Sequence, residues 1–571
     1  MYLSGGEIIF NKLIKNNVKD VWMYSGGAIM SLINCFYKQN KINYYIHTHE
    51  QNLGHAATGY ARSTGNPGIC IVTSGPGITN MITPMLDAQN DSTPLIVFSG
   101  NVQLSAMGTN AFQEAPAVEL TKPFTKWSYC VKKTNELNDV LDEAFIISQE
   151  GKKGVVHIDL PKCIVSNKID YFDINKTKYN NNITNINNEK IDKISDVINN
   201  SQQPVLYVGQ GCNNYSSELT KFVESSNIPI TTTIHAMGCY DERKDLSLKF
   251  LGMHGSVYAN KSIQEADCII ALGSRFDDRT TGNLDLYAPV AKKNKGIIHC
   301  NINSKEIDNV VKSNYNVNMD CGKFLNIIQD KIKYKERPYW INTIKMWKKR
   351  FPFKHDINEK MYTQDVLIEL NKLLKNKENY IFTTGVGNHQ MMAAQFIDWT
   401  HPKSFITSGS LGVMGFGLPA AIGVAIGNKN KTVIDIDGDG SFMMTLSDMK
   451  TAFQYDLKNL KVLMLNNKTL GMVETWEKLF YENRITATDN KYVPSFYNVA
   501  KIFGFNVLQC NNKNNLKETL EKFIETPGPL LCEFNVDSTE CFPLVAPGKA
   551  LDDMILNKNE KKNIDTNIPP S

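Results

Sequence analysis

Residues 433–440 read VIDIDGDG and residues 461–467 read KVLMLNN. Each is an apolar run, the first closing on Gly438-Asp439-Gly440 and the second on Asn466-Asn467. The 25 residues between Gly440 and Asn466 suit a strand–helix–strand crossover. Right-handed crossover brings both strand ends to one edge of a parallel sheet, where α/β folds bind ligands. There Asp439 and an oxygen of Asn467 can serve as hard ligands for Mg²⁺, which combines a few protein oxygens with phosphate oxygens. The flanking glycines let backbone N–H groups approach a diphosphate. Taken alone, the same letters also describe a turn and a polar loop.

Similar runs recur along the chain. GICIVTSGPG, PLIVFSG and GVVHIDLPK fall in the first third, and PVLYVGQG, PITTTI, DCIIALGS and GIIHCNIN in the middle. Strand-like runs alternating with helical ones predict an α/β fold of parallel sheets. At 571 residues the chain exceeds one core and calls for several domains. Composition shifts divide it into 1–165, an Asn-rich linker 166–190, 191–335, a polar and aromatic linker 336–361, 362–545, and a tail 546–571 whose polar end is expected to fray.

Net charge is +4, from 62 basic and 58 acidic residues, which gives no electrostatic case for nucleic acid. No apolar run is long enough to span a bilayer. Twelve cysteines without a CxxC pair read as reduced thiols. The N-terminus enters a helical pattern at once, so no signal or transit peptide is expected. The expected place is the cytoplasm, or an organelle interior if the chain is made there.

A GDG followed at this distance by NN resembles the signature of thiamine-diphosphate enzymes. From about Gly6 to Ile555 the chain resembles one branch of them, the acetolactate (acetohydroxyacid) synthase large subunits. The resemblance implies three Rossmann-like α/β domains with central, mostly parallel sheets: pyrimidine-binding, flavin-binding and diphosphate-binding. Asp439, Asn467 and the carbonyl of Thr469 would hold Mg²⁺.

HTHEQNLGHAATGYAR carries Glu50 just before a helical pattern. A lone Glu there reads as a partner for the helix dipole. With TSGPGITN downstream, the segment resembles the family's pyrimidine domain, in which this carboxylate bonds the aminopyrimidine ring. A partly buried carboxylate with raised pKa can pass a proton to that ring, leading to a nucleophilic thiazolium ylide. GTNAFQEA puts Phe112 and Gln113 in a loop resembling the family's GTDAFQEA, with Asn110 for the acid. YSGGA resembles YPGGA, with Ser25 for Pro and with Gly26 and Gly27 kept. Lys162, after DLP, matches a lysine at the family's substrate entrance, although a surface Lys would read the same.

In the last third GVGNHQM (Val386, Gly387, Asn388, His389) resembles the family's GVGQHQM diphosphate contact, with a shortened amide at Asn388. The resemblance adds Gly412, Gly438, Gly440, Ser441, Gly471 and Met472 to the cofactor site. Met414, ordinarily core filler, would wedge between the cofactor rings. Met472, Trp476, Leu479 and Phe480 form an apolar helix face whose default is core packing. The resemblance of GMVETWEKLFYE to the family's GMVxQW makes Trp476 instead the residue that favours 2-ketobutyrate as second substrate.

The middle third resembles the family's FAD site through VGQG (Gly209, Gly211), GMHGS (Gly252, Met253, His254) and SRFDDRTTGN (Arg275, Asp277, Arg279). Thr233, Gly273, Ile302 and Asp320 are implied with them. Two substitutions weaken the match. Asn301 stands for an acid, losing a charge-assisted bond, and Lys152 stands for an Arg, losing a fork. The flavin's role would be structural. LVAPGKALDDMI resembles the tail that folds over the active site as a lid.

The implied reaction decarboxylates pyruvate on thiamine diphosphate and condenses the hydroxyethyl carbanion with pyruvate or 2-ketobutyrate. The products are 2-acetolactate or 2-aceto-2-hydroxybutyrate, in the first common step of valine, leucine and isoleucine synthesis. A homodimer or tetramer is implied, with a regulatory small subunit as a further partner. The rivals are a pyruvate oxidase or 2-keto acid decarboxylase of the same fold, and a non-catalytic relative.

Overall fold

The computed structural model describes residues 1–172 and 187–557. The frayed end expected for the tail, and most of the Asn-rich linker, lie outside the described residues. The start of that linker is ordered structure: Lys168–Asp170 pairs antiparallel with Tyr2–Ser4.

Three six-stranded sheets carry the fold, as the alternating runs predict. Every pairing within them is parallel. The N-terminal sheet runs Asn43–Ile46, Asp20–Met23, Gly68–Val72, Leu95–Asn101, Val155–Pro161, Trp127–Cys130. The C-terminal sheet runs Phe405–Ile406, Tyr380–Thr384, Thr432–Gly438, Leu460–Asn466, Leu530–Asn535, Asn506–Cys510. Numbered within each domain, both have the order 2-1-3-4-6-5. The middle sheet differs: Ser247–Phe250, Ile230–Thr232, Pro204–Val208, Cys268–Leu272, Gly296–Asn301, Tyr315–Asn318, which is the dinucleotide-fold order 3-2-1-4-5-6. Central strands such as Leu95–Asn101 and Leu460–Asn466 are buried at every residue, which explains their continuous apolar spelling.

The outer domains share one core. Helix Glu50–Thr64 follows the second strand of the N-terminal domain, and helix Gly417–Gly427 follows the second strand of the C-terminal one. These equivalent helices pack directly on each other. Their axes approach closely because glycines meet backbone: a Cβ on Gly59 would fall on the Ala420 carbonyl, and one on Gly423 on the Ala56 carbonyl. Trp22, Leu53, Ala56, Leu418 and Ile422 belong to this joint core.

Two connecting segments pack on the middle domain. Within 336–361, helix Pro338–Arg350 packs on the middle domain, burying Trp340, Ile344 and Trp347. The Trp340 indole donates to the Pro204 carbonyl at 3.1 Å. Its apolar residues repeat at helical spacing, but charged letters between them mask the pattern. Residues 546–557, the described part of the 546–571 tail expected to be partly lid-like, run along the middle domain: Leu544–Val545 pairs with Met554–Ile555, and Asn260 donates to the Leu551 carbonyl. Val545, Leu551 and Met554 bury themselves in the middle domain's core. The apolar letters of this tail therefore make it a strap, and none of residues 546–557 lines the cavity described below.

Candidate functional site

Each sheet has a switch point beside its first strand: between Asp20–Met23 and Gly68–Val72, between Pro204–Val208 and Cys268–Leu272, and between Tyr380–Thr384 and Thr432–Gly438. Such switch points leave a crevice beyond the carboxyl ends of the strands. The middle and C-terminal crevices open into one continuous cavity of about 1040 Å³. That is at or beyond the upper end of the roughly 300–1,000 Å³ typical of one small-molecule site.

The C-terminal half of the cavity is lined by Val386, Gly387, Asn388, His389, Gly412, Met414, Gly438, Asp439, Gly440, Ser441, Asn467, Thr469, Gly471, Met472 and Trp476. Asp439 is 1% exposed, and burial pushes its carboxyl up to about 6. The backbone N–H groups of Gly440 and Asn467 face it, so the GDG and NN ends do come together. Asn490 also donates to Asp439 Oδ2 at 2.8 Å, a contact no local motif announced. Asn467 Oδ1 accepts from the Thr469 N–H at 3.2 Å, and the Thr469 carbonyl accepts from Gly471 at 2.9 Å. Among the described residues no group of three His, Cys, Asp or Glu is placed to hold a metal. The donor set here is one carboxylate, one side-chain amide and one carbonyl. That all-oxygen set fits Mg²⁺ shared with a diphosphate.

Asn388 Oδ1 is buried in the wall with no hydrogen-bond partner, and the buried His389 Nε2 lies 3.4 Å from Asp437 Oδ1. Burial pushes the His389 imidazole down to about 4 and so keeps it neutral. Asn388 donates one N–H of its Nδ2 to the Thr539 carbonyl at 3.1 Å, which leaves its second N–H for another acceptor. Gly387 has φ +147° and Gly412 φ +72°, backbone that favours glycine. A Cβ on Gly440 would collide with Leu470.

Helix Gly471–Phe480 does not bury its apolar stripe in a core. Its buried residues are Gly471, Thr475 and Glu477, while Met472, Trp476, Leu479 and Phe480 are only half-buried. Glu477 anchors the inner face by accepting from the Thr488 hydroxyl at 2.6 Å and the Thr486 N–H at 2.7 Å. Trp476 meets Phe480 edge to face, centroids 5.0 Å apart, at the cavity mouth.

The middle half is lined by Lys152, Gly209, Gly211, Thr233, Met253, His254, Gly273, Arg275, Asp277, Arg279, Asn301, Ile302 and Asp320. A Cβ on Gly209 would fall on the Gly273 carbonyl, so the two strand ends meet backbone to backbone. The Ser274 hydroxyl is buried beside the Tyr207 phenol. Asn301 is fully engaged, donating to the Ser274 carbonyl at 2.8 Å and accepting from Asn303 at 2.9 Å. The carboxylate missing at 301 has a neighbour instead in Glu306, ion-paired with Lys152 at 2.6 Å in the same wall. Two arginines and a glycine-lined crossover suit the phosphates of a dinucleotide. Gly252 stands behind this wall, its N–H on Asn260 Oδ1 at 2.9 Å, and does not line the cavity.

The N-terminal residues lie elsewhere. Glu50, buried at the start of its helix, accepts from Asn80 at 3.0 Å. Gln113 has φ +61° and its backbone presses on Gly75. Phe112 is 88% exposed, and Lys162 is exposed at the start of a short helix. Of the YSGGA pair, Gly26 is the crowded one, against Thr73, while Gly27 faces open space. None of Gly27, Glu50, Phe112, Gln113 or Lys162 lines the cavity. Within one chain Glu50 and Asp439 do not share this cavity.

Three family models match in the order of the sheets. They are the thiamine pyrophosphate enzyme N-terminal TPP-binding domain over residues 3–120, the central domain over 191–328, and the C-terminal TPP-binding domain over 385–534. The chain is 42% identical to the mitochondrial acetolactate synthase of Schizosaccharomyces pombe, over 97% of this chain and 87% of that protein. It is 41% identical to the mitochondrial acetolactate synthase catalytic subunit of Saccharomyces cerevisiae, over 97% and 84%. Against the chloroplastic acetolactate synthase 1 of Zea mays the identity is 36%, over 97% and 89%. With a glycine-lined crevice at each switch point and relatives matched along nearly the whole sequence, this chain belongs to the acetolactate synthase family of thiamine pyrophosphate enzymes.

Proposed function

We infer that the chain is the catalytic, large subunit of an acetolactate synthase. It decarboxylates pyruvate and joins the remaining two-carbon unit to a second 2-keto acid, releasing CO₂. Pyruvate as acceptor gives 2-acetolactate, and 2-ketobutyrate gives 2-aceto-2-hydroxybutyrate, the first common step of valine, leucine and isoleucine synthesis. The observation that carries this reading is the single wall holding Asp439, Asn467, Met414 and Trp476 in a chain matched end to end by acetolactate synthases. Thiamine diphosphate, when bound, supplies the carbon acid and the electron sink that decarboxylation needs.

The chain's residues do the remainder. Asp439, Asn467 and Thr469 would hold Mg²⁺ and through it the diphosphate, beside His389 and the amides near Gly440. Met414 shapes the wall beneath the rings, and Trp476 narrows the acceptor side with an apolar surface that suits an extra methyl group. Glu50 is the proton-handling group, accepting or donating at the aminopyrimidine nitrogen. Because Glu50 and Asp439 of one chain do not share the cavity, the working unit is a homodimer in which Glu50, Phe112 and Gln113 complete the site of a second copy. The 88% exposure of Phe112 supports a covering surface there. FAD would occupy the middle half of the cavity with a structural role, since the reaction has no net redox change. A regulatory subunit is a further partner of this reading.

The test is a competition assay with pyruvate and 2-ketobutyrate. Enrichment of acetohydroxybutyrate, lost in Trp476→Leu, is the expected result. Acetaldehyde or oxygen uptake in place of either acetohydroxy acid would overturn the assignment.

A further inference from the structure

Between the two halves of the cavity runs the turn at residues 407–414, which carries Gly412 and Met414. It is held by side chains from both other domains. Asp91, capping helix Ile82–Asn90 of the N-terminal domain, accepts the N–H of Gly409 through Oδ2 and that of Ser410 through Oδ1, each at 3.1 Å. Its neighbour Asp87 accepts from the Ser408 hydroxyl, which in turn accepts from the Val413 N–H at 2.9 Å. Arg62, at the far end of the Glu50 helix, donates to the Thr407 carbonyl and lies 3.4 Å from Asp91 Oδ2. His235 of the middle domain lies 3.1 Å from Asp91 Oδ1, and a Cβ on Gly409 would strike its ring. Arg275, in the middle half, reaches across to the Ser410 hydroxyl at 2.7 Å and the Asn90 carbonyl at 2.6 Å.

We propose that Asp91 is a positioning residue: by fixing the 407–414 turn against Arg275 it couples the two halves of the cavity, so that each ligand tightens the other. This rests on the reading of those halves as flavin and thiamine diphosphate sites. The physical ground is that Asp91 is fully buried and gives both oxygens to successive backbone amides. An asparagine there would set an N–H against one of those amides. A flavin that orders Arg275 also orders Ser410, and with it the turn ending at Met414. Linkage then requires thiamine diphosphate to favour flavin by the same factor.

The test is calorimetric titration of the ligand-stripped full chain with thiamine diphosphate and Mg²⁺, with and without saturating FAD. Flavin fluorescence follows the reciprocal direction. In the wild type, FAD should tighten thiamine diphosphate binding. Asp91→Asn should weaken that binding on the order of 10-fold to 100-fold, the equivalent of one hydrogen bond to a charged acceptor, and bring the coupling factor close to one. A folded Asp91→Asn that keeps wild-type affinity and coupling overturns the proposal. If that variant does not fold, Ser410→Ala decides. It removes the Arg275 link and the hydroxyl beside Asp91 while leaving both Asp91–amide bonds in place, so coupling should fall by more than thiamine diphosphate affinity without FAD. Unchanged coupling in Ser410→Ala then overturns the proposal. A wild type that binds neither ligand refutes the underlying site reading instead.

Discussion

The N-terminal and C-terminal domains are built on the same strand order, and their useful segments leave the same strands. The first strand ends in YSGGA in one and GVGNHQM in the other, the second in HTHEQ and SGSLGVM. The third ends in TSGPG and GDG, the fourth in the loop with Phe112 and Gln113 and the helix with Trp476. What differs is where the acid sits. The N-terminal domain places Glu50 at a helix start after its second strand, while the C-terminal domain buries Asp439 at the end of its third. One scaffold is thus used twice, once to present a proton-handling carboxylate and once to build an oxygen cage. The difference lies in a few strand-end letters, not in the architecture.

This division can be broken first at its chemical end. Glu50→Gln should cut acetolactate formation by roughly 10²- to 10⁴-fold, the scale of general acid–base catalysis, with thiamine diphosphate affinity kept. A loss of affinity instead would make Glu50 a binding group. On the other side, Asp439→Asn should act on binding, weakening thiamine diphosphate in Mg²⁺ by about 10- to 100-fold in calorimetry. Unchanged affinity would remove the cage from that domain.

The shared packing is the next target. Gly423→Ala puts a methyl group onto the Ala56 carbonyl at the crossing of the equivalent helices. Overpacking of this kind costs about 1–3 kcal/mol, and a lowered melting temperature is the expected reading. An unshifted melting temperature would mean the two domains can move apart freely.

An effect of similar size that fades at low pH concerns the link between the N- and C-terminal domains within one chain. His47, just before Glu50, lies 2.7 Å from Asp448 in the crossover after the GDG, and both are fully buried. Burial opposes the Asp448 charge, yet His47 and the Thr451 hydroxyl together hold its carboxyl below its ordinary 3.8. A carboxyl lowered in the folded state stabilises fully above its unfolded pKa and loses that contribution as pH falls through the folded value. Asp448→Asn should therefore cost about 1–3 kcal/mol near neutral pH, with the gap to wild type closing below about pH 4. A gap independent of pH would show that the charge is not what matters.

Strand runs, their glycine stops and the crossover from GDG to NN were legible in the sequence because they depend on local periodicity and backbone sterics. The same letters placed nearly every expected cofactor contact on a strand end, where an α/β sheet keeps its ligands. Tertiary structure alone decided which way the Met472–Trp476 stripe faces, since an amphipathic pattern marks a face without saying what meets it. It also decided that Trp340 and Trp347 close the middle domain, and that residues 546–557 strap it. Above all, it decided that Arg62, Asp91, His235 and Arg275 converge on one turn. These residues come from two domains and meet on a turn of a third, and no local pattern encodes a contact made only when three separately patterned cores pack together.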